Sequence, residues 1–177
     1  MKSRILTVAA FGVFLMGSGA ANAVTTALGA ASVGAPLAFG GLSARGTFND
    51  VFTFSLPANG GSGYSVTNFT FLPGQFNTAL ATLSLVSNAD GILFNADDTT
   101  LSTSTTPGGN SLALSWGATL AGNYYLAVGG IANGSQGGIY NGAISVTAVP
   151  VPEPETYAMM LAGLGAIGFL ARRRGSV

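Results

Sequence analysis

The sequence predicts an all-β fold: a jelly-roll-like antiparallel β-sandwich, flanked by an N-terminal signal helix and a C-terminal transmembrane helix. Three observations predict it. Apolar and polar residues alternate with period two in several short runs. Turn-forming Gly, Pro, Asn and Asp clusters separate those runs. No stretch between residues 40 and 150 has helical periodicity. Between the two terminal segments there is room for one domain with a real core. The expected boundaries are 1–23 for the signal peptide, 24–149 for the sandwich and 150–177 for the tail.

The strands are read in chain order. "TFNDVFTFSL" puts Phe48, Asp50, Phe52 and Phe54 on one face, and "YSVTNFTF" alternates weakly. "ALATLSLVS" pairs Leu83 with Leu85, and "SLALSW" aligns Leu112, Leu114 and Trp116. "GNYYLAVGG" aligns Tyr124, Leu126 and Val128, and "GAISVTAV" offers Ile144 and Val146. "PANGGSG", "LPGQ", "NADG", "TPGGN" and "ANGSQGG" supply the turns. This makes about seven short strands, as in a sandwich.

Composition excludes several functions. Charged residues are 7% of the chain, against roughly 25% in an ordinary soluble domain. Between Val24 and Pro152, Arg45 stands against Asp50, Asp90, Asp97 and Asp98, a net charge of −3. There is no basic patch, so no nucleic-acid partner is expected. The chain has no Cys, which removes disulfides and zinc-thiolate sites. It has no His, which removes a Ser-His-Asp triad and the commonest metal ligand. No cofactor is expected.

The amino terminus has the three parts of a secretory signal peptide. Lys2 and Arg4 form the positive region, Ile5 to Met16 the apolar region, and Ala21 and Ala23 the small-residue cleavage site. Val24 is then the new terminus. A Ser-Lys dyad fails because Lys2 leaves with this segment. Asp97 and Asp98 are adjacent and alternate in direction, a poor start for two-carboxylate hydrolysis. An aspartyl dyad built from distant residues stays open, but the chain is expected not to be an enzyme.

The carboxyl terminus reads "VPEPETYAMMLAGLGAIGFLARRRGSV". Tyr157 to Ala171 is uncharged and would cover about 22 Å as a helix, short of a roughly 30 Å hydrocarbon core. Arg172, Arg173 and Arg174 would stay cytoplasmic by the positive-inside rule. Pro152 and Pro154 are expected to hold the preceding segment extended, outside the helix.

This order of Pro152-Glu153-Pro154, short apolar helix and Arg cluster resembles the tail of PEP-CTERM proteins, down to the Glu-Thr-Tyr-Ala after the triplet. The resemblance implies recognition by exosortase, a membrane-embedded cysteine transpeptidase-like enzyme, and removal near the triplet. It implies transient residence at the inner membrane, then the cell surface or extracellular matrix. The tail also goes under the label of an ice-binding protein C-terminal domain, which describes the tail and no activity. Phe48-x-Asp50-x-Phe52 looks like the FxDxF subfamily of these proteins. "LAGNYYLAVGG" is similar, more loosely, to the bacterial pre-peptidase C-terminal domain, a β-sandwich.

The function expected is structural or adhesive, in the biofilm matrix of an exopolysaccharide-producing Gram-negative bacterium, with exopolysaccharide as a partner. The alternative is a carbohydrate- or calcium-binding sandwich. Exposed Tyr, Asn and Thr would be the groups to contact sugars. Asp50 is odd among phenylalanines, since a buried unpaired carboxylate costs several kcal/mol. It is expected at a strand entrance accepting turn N–H groups, on an outward bulge, paired with Arg45, or on calcium. "SNADGILFNADD" carries oxygen ligands of the type calcium prefers, Asp90, Asp97 and Asp98 with Asn88 and Asn95, without EF-hand spacing. It reads first as a solvated turn. "DDTTLSTSTTPGG" reads as a polar loop, and the triplets at Asn68 and Asn133 as ordinary turn and strand residues.

Overall fold

The computed structural model of the chain describes residues 22–57, 60–72, 74–148 and 154–174. Ala21 and the rest of the expected signal peptide before it lie outside the described residues, as do Pro152 and Glu153. The described residues fall into two compact units, divided between residues 147 and 148.

The first unit is a sandwich of two sheets. One sheet has five strands, β1 (Thr25–Ala30), β3 (Gly46–Leu56), β8 (Gly122–Ala132), β5 (Thr78–Ser87) and β6 (Thr99–Gly109), in that spatial order. The other has four, β2 (Leu37–Ser43), β9 (Gly138–Ala148), β4 (Gly60–Asn68) and β7 (Ser111–Thr119). From β2 onward the chain crosses between sheets at every connection except β5 to β6. The sheet is not wholly antiparallel, because β1 lies parallel beside β3.

Period two explains the core. Phe48, Phe52 and Phe54 of β3, Leu83 and Leu85 of β5, and Leu126 and Val128 of β8 are buried from one sheet. They meet Phe39 of β2, Tyr64 and Val66 of β4, and Tyr140 and Ile144 of β9 from the other. A smaller apolar cluster covers the outer side of the first sheet. There Val51, Val86 and Tyr125 pack with Leu93, which the 88–98 loop brings over them.

The polar loop expected over 97–109 is a correction. Residues 99–109 are strand β6, hydrogen-bonded to β5, with Ser84 and Thr103 hydroxyls 3.1 Å apart across the pair. Thr suits a half-exposed strand by its β-branch. Within "PANGGSG", expected as a turn, strand β4 already begins at Gly60.

The second unit is helix α1 (Pro154–Arg174). It begins at Pro154, not after it. Proline is tolerated in the first helical turn, where its missing N–H has no partner to lose. Glu155 in the first turn and the arginines in the last complement the helix dipole, which extends the helix past the expected 157–171 at both ends. Among the described residues, no helix is long and apolar enough to cross a membrane. Gly163, Gly165 and Gly168 dilute the apolar stretch, and its two ends are charged.

Candidate functional site

Asp50 sits inside the sandwich. It belongs to the inward set of β3, and 2% of it is exposed. Three neutral donors hold its carboxylate. The Val24 backbone N–H donates to Oδ1 at 3.0 Å, and the Ser43 hydroxyl to Oδ2 at 3.4 Å. The Tyr140 hydroxyl makes a short hydrogen bond to Oδ2. The expectations of a strand entrance, an outward bulge or an Arg45 pair are therefore corrected. Arg45 is exposed and is not among these partners.

The two phenylalanines of the motif support the same group. The Phe48 ring stacks on Tyr140 with centroids 5.2 Å apart, and Phe52 meets it edge-on at 6.3 Å. Phe52 also packs on Phe39 at 4.8 Å. Tyr140 comes from β9 and Asp50 from β3, so this contact ties one sheet to the other. Gly41 of β2 leaves room for the ring, since a Cβ there would lie 2.5 Å from the Tyr140 hydroxyl oxygen. Burial, and then the Asp50 charge and hydrogen bond, push the Tyr140 phenol well above its ordinary range.

Tyr140 and Ser43 were not singled out in the sequence, and Val24 only as the expected new terminus. Carrying the alternation of Ile144 and Val146 four residues back, through Gly142, reaches Tyr140, which was the available signal.

The aspartates of the 88–98 loop hold the loop itself. Asp98 Oδ2 accepts the Phe94 N–H at 2.7 Å, the Asn95 N–H at 3.3 Å and the Tyr125 hydroxyl at 3.1 Å. Asp90 accepts the Ile92 N–H and the Asn95 side-chain amide, both at 2.8 Å. Asp97 is exposed. The loop is thus a cap on the outer sheet face, pinned through Tyr125, rather than a free turn. Phe94 has a φ of 62°, a left-handed conformation uncommon for a bulky residue, and its N–H is held by Asp98. Asp98→Ala is expected to cost about 1–2 kcal/mol through these lost bonds. Hydrogen exchange at Phe94 and Asn95 should speed up while strand β8 stays protected.

Among the described residues, no group of three or more Asp, Glu, His or Cys is placed to hold a metal. Asn88 Oδ1, Asn95 Oδ1 and Asp98 Oδ1 are buried without a hydrogen-bond partner. The tyrosines expected as sugar contacts are largely inside, with Tyr64, Tyr124, Tyr125 and Tyr140 all buried. A shallow groove of about 310 Å³ on the second sheet is lined by small and polar side chains, among them Ser65, Thr67 and Asn141.

At the other end, Pro154 opens α1 and Arg172 to Arg174 close it. Residues 150–174 match the PEP-CTERM protein-sorting motif, so the chain carries that sorting signal at this end. The motif is the exosortase recognition signal, which implies an exported, exosortase-processed protein.

No curated protein matches the chain. Among solved structures it is similar to the pre-peptidase C-terminal domain of a collagenase from Bacillus anthracis. Identity is 19%, the TM-score 0.40, and the match covers 73% of this chain and 100% of that one. It is also similar to PliG of Aeromonas hydrophila, a periplasmic inhibitor of g-type lysozyme. There identity is 14%, the TM-score 0.42, and coverage 71% and 99%.

Proposed function

We propose that the mature protein is a non-enzymatic structural or adhesive component of the extracellular matrix of a Gram-negative, exopolysaccharide-producing bacterium. The sorting motif at 150–174 carries this reading. The short apolar stretch of α1 supports a transient hold at the inner membrane, with Arg172 to Arg174 on the cytoplasmic side. Glu153 is the residue for exosortase to read. The Phe48-x-Asp50-x-Phe52 motif supports the FxDxF subfamily. The lack of His and Cys supports a role without catalysis. So does the use of Asp50, Asp90 and Asp98 as internal hydrogen-bond acceptors.

The test is the intact mass of the protein from a host with and without exosortase. A product ending near Pro152 is expected only where the enzyme is present. A product that keeps Arg172 to Arg174 in both strains would overturn the sorting step. Deletion of the gene is expected to weaken biofilm cohesion, and an unchanged biofilm would remove the matrix role.

A second reading, a calcium-binding sandwich, is favoured by one observation. Asn95 Oδ1 and Asp98 Oδ1 are buried acceptors without partners in one loop. On that reading calcium raises the melting temperature of the parent and not of Asp98→Asn. An equal response in both proteins removes it.

A further inference from the structure

We propose that removal of the signal peptide builds an ion pair at the edge of the core: cleavage after Ala23 sets the α-ammonium of Val24, an exposed residue, against the buried carboxylate of Asp50. The inference rests on the signal-peptide reading and adds the fate of the new terminus. In the uncut chain the Val24 nitrogen already donates to Asp50 Oδ1 at 3.0 Å. Its position is set independently of that bond. The Val24 carbonyl accepts the Val51 N–H at 2.8 Å, and β1 runs on beside β3 from Thr25.

Hydrolysis adds one water across the Ala23–Val24 amide. The water oxygen stays with Ala23 as part of its carboxylate, and the freed nitrogen carries three protons at neutral pH. The nitrogen need not move to meet Asp50. A neutral amide donor becomes a charged one, and hydrogen bonds between two ionised groups are the stronger kind. The buried carboxylate, which among the described residues has only neutral donors before the cut, then gains a counter-charge. The same cut releases Asn22, whose N–H and C=O pair with Thr47 and Asn49. The ammonium takes over as the anchor of the chain end. The domain thus acquires its last stabilising contact only after processing.

Lys2 is the sole lysine and leaves with the signal peptide, so the α-amine is the only amine of the mature chain. An amine-acylating reagent followed by intact mass therefore reports on it alone. The exported protein is expected to start at Val24. Its amine should react about tenfold more slowly folded than unfolded, because the Asp50 carboxylate favours the unreactive ammonium over the free base. Asp50→Asn is expected to abolish that protection. Where this variant does not fold, the parent chain starting at Val24 is compared with the same chain acetylated at its amine. The free amine is expected to melt roughly 5 °C higher. An exported protein that starts elsewhere overturns the proposal together with the cleavage site. A start at Val24 with an unprotected amine, or equal melting on acetylation, overturns the ion pair and leaves the signal-peptide reading standing.

Discussion

Tyr140→Ala is expected to remove about 5 kcal/mol of stability, comparable to the whole margin of many domains. Two losses combine. The ring fills space between Phe48, Phe52 and the backbone of Gly41, and truncating a buried aromatic costs about 3–5 kcal/mol. The hydroxyl is one of three donors on a buried carboxylate, and hydrogen bonds to charged groups contribute about 1.5–3 kcal/mol. Tyr140→Phe separates them, because it keeps the ring and is expected to cost only the second amount. Urea melts of the three proteins measure the split. A Phe variant as stable as the parent would mean that the hydroxyl does nothing for Asp50. In an Asp50→Asn background the Phe substitution is expected to cost under about 1 kcal/mol, since the charge it served is gone. An undiminished cost there would break the link between the two residues.

The legible strands were those whose inward positions are large. In β3, β5 and β8, Phe and Leu alternate with small or polar residues, and burial follows the pattern. Strands β1 and β2 were not read, because their sequences TTALGA and LAFGGLS bury few large side chains. Their edge positions in the two sheets explain this, since an edge strand needs less apolar cover. Strand β6 was hidden by its composition, though its Thr run suits a strand by propensity. The parallel pairing of β1 with β3 had no local signal, because alternation marks a face and not a partner.

The candidate site was legible in part for the same reason. Periodicity placed Asp50 among phenylalanines, and the structure keeps it there. Its partners come from 26 residues before it, 7 before it and 90 after it, distances at which sequence carries no pairing signal. The loop aspartates looked like ligands because carboxylates that hold a turn and carboxylates that hold an ion are the same residue types. The tail was the most legible segment, since a sorting signal is read as a linear order of residues. Its helix bounds were shifted, by the tolerance of a first turn for proline, and no helix among the described residues is long and apolar enough to cross a membrane as expected.

Above pH 10 the domain is expected to lose stability steeply, by about 3 kcal/mol at pH 11 from Tyr64 and Tyr140 alone. Burial raises the Tyr64 phenol to about 12, outweighing its contact with the Ser62 hydroxyl. Burial and the Asp50 charge raise Tyr140 further. The sign follows from proton counting. Below about pH 10 both phenols are protonated whether the chain is folded or not, so they leave stability unchanged. Above it the unfolded chain releases both protons and the folded chain keeps them. Each then favours unfolding by about 1.4 kcal/mol per pH unit, until the pH reaches its folded value. Tyr124 and Tyr125 are also raised, mainly by burial, but lie nearer the surface, where screening trims their share. Urea melts between pH 8 and pH 11, followed by phenolate absorbance, check the account. In a Tyr157→Phe background, which removes the exposed tyrosine of α1, the phenolate signal should appear with unfolding and not ahead of it. A flat stability over that range, or phenolate forming in the folded protein, would mean that the Tyr140–Asp50 contact is open to water. The inter-sheet tie drawn from it would then fail.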